Sequence, residues 1–172
     1  DIRLVMGDEL IETLAGSYSE VGLDETMVIT RSNKRANIYN QGIRNMVLGR
    51  EDELTTGDQL MIVKNNYYWK LPTTGQATDA SETFIANGDR AEVRRVRNIR
   101  KLYGFRFADV TLAFPDYDDA EVTATILLDT QTSEAPALTR DQQEQLFQQV
   151  MADYADIPTK QERFKQLKQD PY

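Results

Sequence analysis

The sequence contains neither cysteine nor histidine. The first absence removes disulfides and thiolate nucleophiles, the second removes the imidazole base of a Ser-His-Asp triad, and together they remove the usual zinc centres. There is no Gly-Lys pair either, so the G-x-x-x-x-G-K-[ST] loop that cradles nucleotide phosphates is missing. Nor does any apolar run approach the roughly 18 residues of a membrane-spanning helix. The opening residues, DIRLVMGDEL, have no basic segment followed by an apolar stretch, so no membrane partner is expected and the expected location is cytoplasmic. What remains is a chain of 172 residues, 40% hydrophobic and 28% charged, long enough for one ordinary core or two small ones.

The net charge of -8 argues against indiscriminate coating of nucleic acid, but it is an average over an uneven distribution. Arg90, Arg94, Arg95, Arg97, Arg100, Lys101 and Arg106 crowd into one stretch against the single acid Glu92. Asp109 to Glu134 then holds only acids. The two blocks adjoin along a β-meander, so one part of the module should be positive and another negative. Taken alone, each block reads first as a solvated strand face, and position relative to other motifs decides.

Periodicity divides the chain into three parts. Over 1–50, the apolar runs IRLV and TMVIT read as strands, and two helices follow them. Asp8 is placed to cap the first helix and Gly22 to end it; Ser32 or Asn33 caps the second. This βαβα pattern implies a partial α/β unit with a parallel sheet whose edges and faces still need partners. Over 51–130, short strands separated by Thr56-Gly57, Asn87-Gly88-Asp89, Tyr103-Gly104 and PDYDDA fit a small closed β-barrel of SH3 or OB size. Over 131–172, TRDQQEQLFQQV and TKQERFKQLKQ read as polar helices with a narrow apolar stripe. The expected fold class is therefore α+β in several parts: partial α/β, small barrel, helical tail.

Three motifs then carry a resemblance. ITRSNKRANIYNQGIR (29–44), GDQLMIVKNNY (57–67) and ANGDRAEV (86–93), in that order, resemble the second motor domain of superfamily 1 DNA helicases of the RecD/Dda-like group, proteins similar to the exonuclease V alpha subunit. In that family a motif IV segment T-x-S/T-N-K-x-x-N-x-x-N is followed by GD-x-x-M-x-x-x-NNY and NGD, where an SH3-like barrel, domain 2B, is inserted into RecA-like domain 2A. The resemblance implies that 1–50 is part of 2A, that 51–130 is 2B, and that 131–172 leads back to 2A. It also implies that the phosphate loop, the magnesium ligand and the other motor domain lie elsewhere in a longer parent, so that ATP and magnesium are cofactors of that parent and this chain has none and no catalytic residue of its own.

Candidate residues follow. The resemblance places Arg31, Asn33 and Lys34 towards the nucleotide, with Arg35 towards DNA; the start of a helix favours anions in either case. Lys64, Asn65, Asn66, Tyr67 and Trp69 have two readings. They form the turn closing the strand DQLMIV, with Tyr67 folded back as a lid and Trp69 as a barrel anchor, or they contact single-stranded DNA as cation and stacking platform. With the barrel over the DNA channel, Arg94, Arg95, Arg97, Arg100 and Lys101 become backbone clamps or a strand-separating edge, without base specificity, and the acidic strands would repel and orient the DNA. The competing expectation is a non-catalytic protein-interaction module built on an SH3-like barrel.

Overall fold

A computed structural model describes residues 2–71, 83–131 and 137–172, divided between two compact units, Asp1–Glu53 and Leu54–Tyr172. The first unit holds helices α1 (Leu10–Glu20) and α2 (Asn33–Gly42), the latter running on through a wider turn at Ile43–Val47. Ser32 caps α2, its hydroxyl accepting from the Arg35 amide at 3.3 Å. Gly22, at φ +90°, turns the chain out of α1 in the left-handed geometry that glycine adopts without a Cβ clash. Asp8 is not the cap of α1, because Glu9 stands there and no side chain accepts from the first turn.

The two parallel strands expected in this unit are not formed: residues 2–6 and 26–30 belong to no strand or helix. A strand exists only where a neighbour takes its backbone hydrogen bonds, and a parallel sheet must be covered on both faces. Here Ile2, Leu4, Met27 and Ile29 are all exposed, so neither condition is met and the expected RecA-like sheet is absent among the described residues.

The second unit is antiparallel throughout. Its strands are β1 (Gln59–Met61), β2 (Asn66–Leu71), β3 (Thr83–Ile85), β4 (Arg90–Leu102), β5 (Phe105–Phe114) and β6 (Ala120–Leu127). They make a curled four-stranded sheet in the order β1-β4-β5-β6 and a hairpin-like pair β2-β3. Both sheets contribute to one core, in which Leu71 and Ile85 join Val93, Val110, Leu112, Phe114 and Leu128. The expected closed barrel is thus a half-barrel with a second small sheet. Along β1 and the two residues after it, Leu60 and Ile62 pack on the core while Met61 and Val63 are exposed.

Two bulges shape β4. Val93 pairs with Leu112 and Arg95 with Thr111, which leaves Arg94 as an extra residue; Arg97 pairs with Asp109 and Arg100 with Phe107, which leaves one extra residue in the step 98–99. In a period-2 strand the sequence V-R-R-V cannot turn both valines inward. The first bulge lets it do so, since Val93 is buried and Val96 packs on the core. The second keeps Arg100 on the face that already carries Arg95 and Arg97. Tyr103 and Gly104, both at positive φ (55° and 80°), close the β4–β5 hairpin with the geometry of a type I′ turn.

The tail holds α3 (Arg140–Asp153) and α4 (Lys160–Leu167). Thr139 and Gln142 make a reciprocal capping box at the start of α3. Residues 132–136, where the tail was expected to begin, lie outside the described residues.

Candidate nucleic-acid interface

The motifs around Asn65 and Asn87 meet in space. The Asn87 amide donates to Asn65 Oδ1 at 2.8 Å, the Gly88 amide to the Ile62 carbonyl at 2.8 Å, and the Ile62 amide to the Asp89 carbonyl at 2.9 Å. Asp89 closes its own turn by accepting from the Ala86 amide at 2.7 Å, and Asn66 Oδ1 accepts from the amides of both Tyr68 and Trp69 at 2.9 Å. The Oδ1 atoms of both asparagines are therefore spent on the backbone, where short amide side chains substitute for missing ladder partners. Asp58 of the GD pair is likewise structural: buried, it accepts from the Thr55 amide at 2.9 Å.

That scaffold leaves aromatics on the surface. Tyr67 is exposed and its ring lies 4.8 Å from that of Phe84, at 37°, on the neighbouring strand. Its hydroxyl accepts from Asn65 Nδ2 at 3.1 Å, so it folds back onto the turn as the sequence suggested, while the ring stays exposed. Tyr68 stands edge-on to Trp69 at 4.6 Å, and Trp69 is half-buried against the core, as the anchor reading holds. Lys64 is exposed at the start of this hairpin. Phe84 was missed in the sequence because a three-residue strand, TFI, carries too little period to show which side chain faces out.

The basic strand divides into engaged and free side chains. Arg94 meets Glu92 at 2.9 Å and Asp119 at 3.7 Å, Arg100 meets Asp109 at 2.9 Å, and Arg106 meets Asp129 at 2.9 Å. The acidic block thus folds onto the basic one and neutralises part of it, which corrects the expectation of a separate repelling face. Among the described residues Arg95, Arg97 and Lys101 make no ion pair, and all three are exposed. Arg95 stands beside Thr111 and Thr123, Arg97 beside Asp109 and Thr125, on the face away from the core.

Arg100 is committed further. Its Nε donates to the Tyr172 hydroxyl at 2.7 Å and its guanidinium lies 5.2 Å from that ring, which packs edge-on against Phe107 at 4.8 Å. Tyr154 donates to Asp170 at 2.7 Å, and Tyr103 donates to Asp153, so the tail is pinned to the β4–β5 hairpin. Burial, reinforced by Asp153, pushes the Tyr103 phenol far above its ordinary value. Burial works against the Asp109 carboxylate, yet hydrogen bonds from Asn98, Arg100 and Thr125 outweigh it and hold its pKa below the ordinary range.

In the first unit, Arg31, Asn33, Lys34 and Arg35 cluster where α2 begins, all exposed. The helix start supplies backbone donors, but exposed side chains form no walled phosphate pocket, so these residues do not by themselves fit a nucleotide and no catalytic step is assigned to them. Among the described residues no group of acids and other ligands is arranged to hold a metal ion, and no helix is long and apolar enough to cross a membrane. No protein-family model matches the chain, and no curated protein matches it.

Proposed function

We propose that the chain is a DNA-contacting portion of an ATP-dependent helicase-like motor, in which the β module acts as an SH3-like domain gripping single-stranded DNA. The observation that carries this is the set of cations along β4, Arg95 and Arg97 on its outer face and Lys101 further along on the other, which have no ion-pair partner among the described residues of a chain whose net charge is -8. An acidic protein that places many acids next to a basic strand and still leaves three cations without an ion pair among the described residues has a local field suited to phosphate. The exposed Tyr67–Phe84 pair supports the reading, since ring faces stack on bases without regard to sequence. Contact of Arg31, Asn33 and Lys34 with a nucleotide belongs to the same proposal and requires walls supplied by the parent's other motor domain. Alone, the chain should hydrolyse no ATP, because it has no phosphate loop.

Salt dependence tests it. Three phosphate contacts at roughly -0.7 each give a slope of about -2 in log affinity against log salt for a labelled oligothymidine. The variant Arg95→Ala/Arg97→Ala/Lys101→Ala should flatten that slope, and Tyr67→Ala should weaken binding by about 1 kcal/mol or more while leaving the slope in place. A folded triple variant that keeps affinity and slope would instead favour a protein-interaction module, with the aromatic pair as its contact surface.

A further inference from the structure

We propose that Ile99 is an apolar contact for single-stranded nucleic acid, presented by the second bulge of β4 on the strand that carries the phosphate-binding cations; this rests on nucleic-acid binding by the β module. Ile99 is 66% exposed in the middle of a 13-residue strand. The bend that displays it is held in an uncommon conformation, with Asn98 at φ +48°. Four bonds maintain that bend: Asn98 Nδ2 to Asp109 at 3.0 Å, Arg100 Nη1 to the Asn98 carbonyl at 3.0 Å, Arg100 to Asp109 at 2.9 Å, and the Thr125 hydroxyl to Asp109 at 2.9 Å. None of them uses the Ile99 side chain. A bulge re-aims a side chain, and strain held in place by a dense polar network points to a role for what it presents.

The surroundings select the ligand. Arg97 and Lys101 flank Ile99 in sequence, and neither has an acid partner among the described residues. A surface that covers an isoleucine between cations must combine negative charge with apolar faces. Nucleic acid does so through phosphates and the faces of sugars and bases, and an isoleucine is among the side chains that wedge against unstacked bases. An anionic bilayer has the same two properties, but stable membrane attachment takes a broad apolar face or two anchoring signals, and one exposed isoleucine in a polar stretch of strand provides neither. Base faces are open in a single strand and covered by stacking in a duplex. Ile99 therefore gives preference for the single strand, while Arg95, Arg97 and Lys101 give affinity for both.

The test compares the full chain with Ile99→Ala and Ile99→Leu, binding an oligothymidine and a blunt duplex of equal length across a salt series. Ile99→Ala should weaken single-strand binding by about three- to tenfold, the loss of a partly buried aliphatic side chain, with the duplex affinity and the salt slope unchanged; Ile99→Leu should restore most of the loss. Circular dichroism establishes that each variant is folded. Equal effects on single strand and duplex, or none on either, overturn the role of Ile99 while leaving DNA binding by the module intact. Wild-type protein that binds no nucleic acid at low salt overturns the functional reading and this inference with it. Binding to phosphatidylserine vesicles that is lost in Ile99→Ala overturns it in favour of a membrane surface.

Discussion

A single carboxylate, Asp109, organises the outer face of the β module. It accepts from Asn98, Arg100 and Thr125, so it ties three strands' worth of side chains to one point and holds the bulge of β4 in its left-handed step. Bonds from a cation and two neutral donors outweigh its desolvation, and the folded pKa lies below the unfolded one. The sign follows: the stability it contributes is complete above the unfolded value, near pH 4, and is lost as pH falls through the lower folded value. Asp109→Ala should therefore cost about 1 to 3 kcal/mol at pH 7, and the gap between the two proteins should close in urea melts carried down through pH 4 to pH 2. A gap that stays constant across that range would mean that the charge on Asp109 is not what holds the bulge. Nothing in the sequence marked Asp109 out among the acids that follow the basic stretch. Its importance comes from cross-strand neighbours 11 and 16 residues away, which local reading does not bring together. Asn65 and Asn66 were legible as turn residues, but their partner loop at Asn87 emerged only with the fold.

Elements whose signal is local were the legible ones. The Tyr103-Gly104 turn, the Ser32 and Thr139 caps, the meander of β4, β5 and β6 and the end of α1 at Gly22 all rest on a few adjacent residues, and the structure has them where the sequence puts them. The strands expected at IRLV and TMVIT failed because an apolar run states only that a segment would be buried, given a partner; it does not supply one. The bulges were not read from the sequence: V-R-R-V and R-N-I-R break the alternation, but a phase break fits either a bulge or a loop until the opposing strand fixes the register. The hairpin permits a clean test at this scale. Gly104, at φ +80°, has room for a Cβ, whose nearest neighbour would be Gln145 at 3.6 Å, so the cost of Gly104→Ala is conformational and not steric. It should be about 1 to 2 kcal/mol, lowering the Tm by several degrees without altering DNA affinity, because Lys101 and Arg97 lie on the strand before the turn. A variant as stable as the parent would show that the hairpin is not held in this geometry.

Burial is distributed unequally over the whole molecule. Among the described residues before Leu54, Ile43 is the only buried apolar side chain, whereas the second unit encloses Val93, Val110, Phe114 and Leu128 almost completely. Hydrophobic burial is the main term opposing chain entropy, so the second unit should carry its own cooperative transition and the first should open at low free energy. The charge follows the same division, since the cations of β4 that have no ion-pair partner among the described residues and the exposed aromatics of β2 and β3 both belong to the second unit. Their field acts within a Debye length of about 8 to 10 Å, which screens more distant acids. A protein spanning residues 54–172 should therefore fold alone, keep the Tm of the main transition, and bind oligothymidine with the affinity and salt slope of the full chain. In hydrogen exchange on the full chain, amides of β4 and β5 should be protected by the global unfolding free energy and those of α1 and α2 by much less. Loss of folding on excision would mean that the second unit depends on the first, and equal protection in both units would mean that the two unfold together. Loss of DNA binding with folding intact would move the grip to the start of α2, with Arg31, Lys34 and Arg35 as its cations.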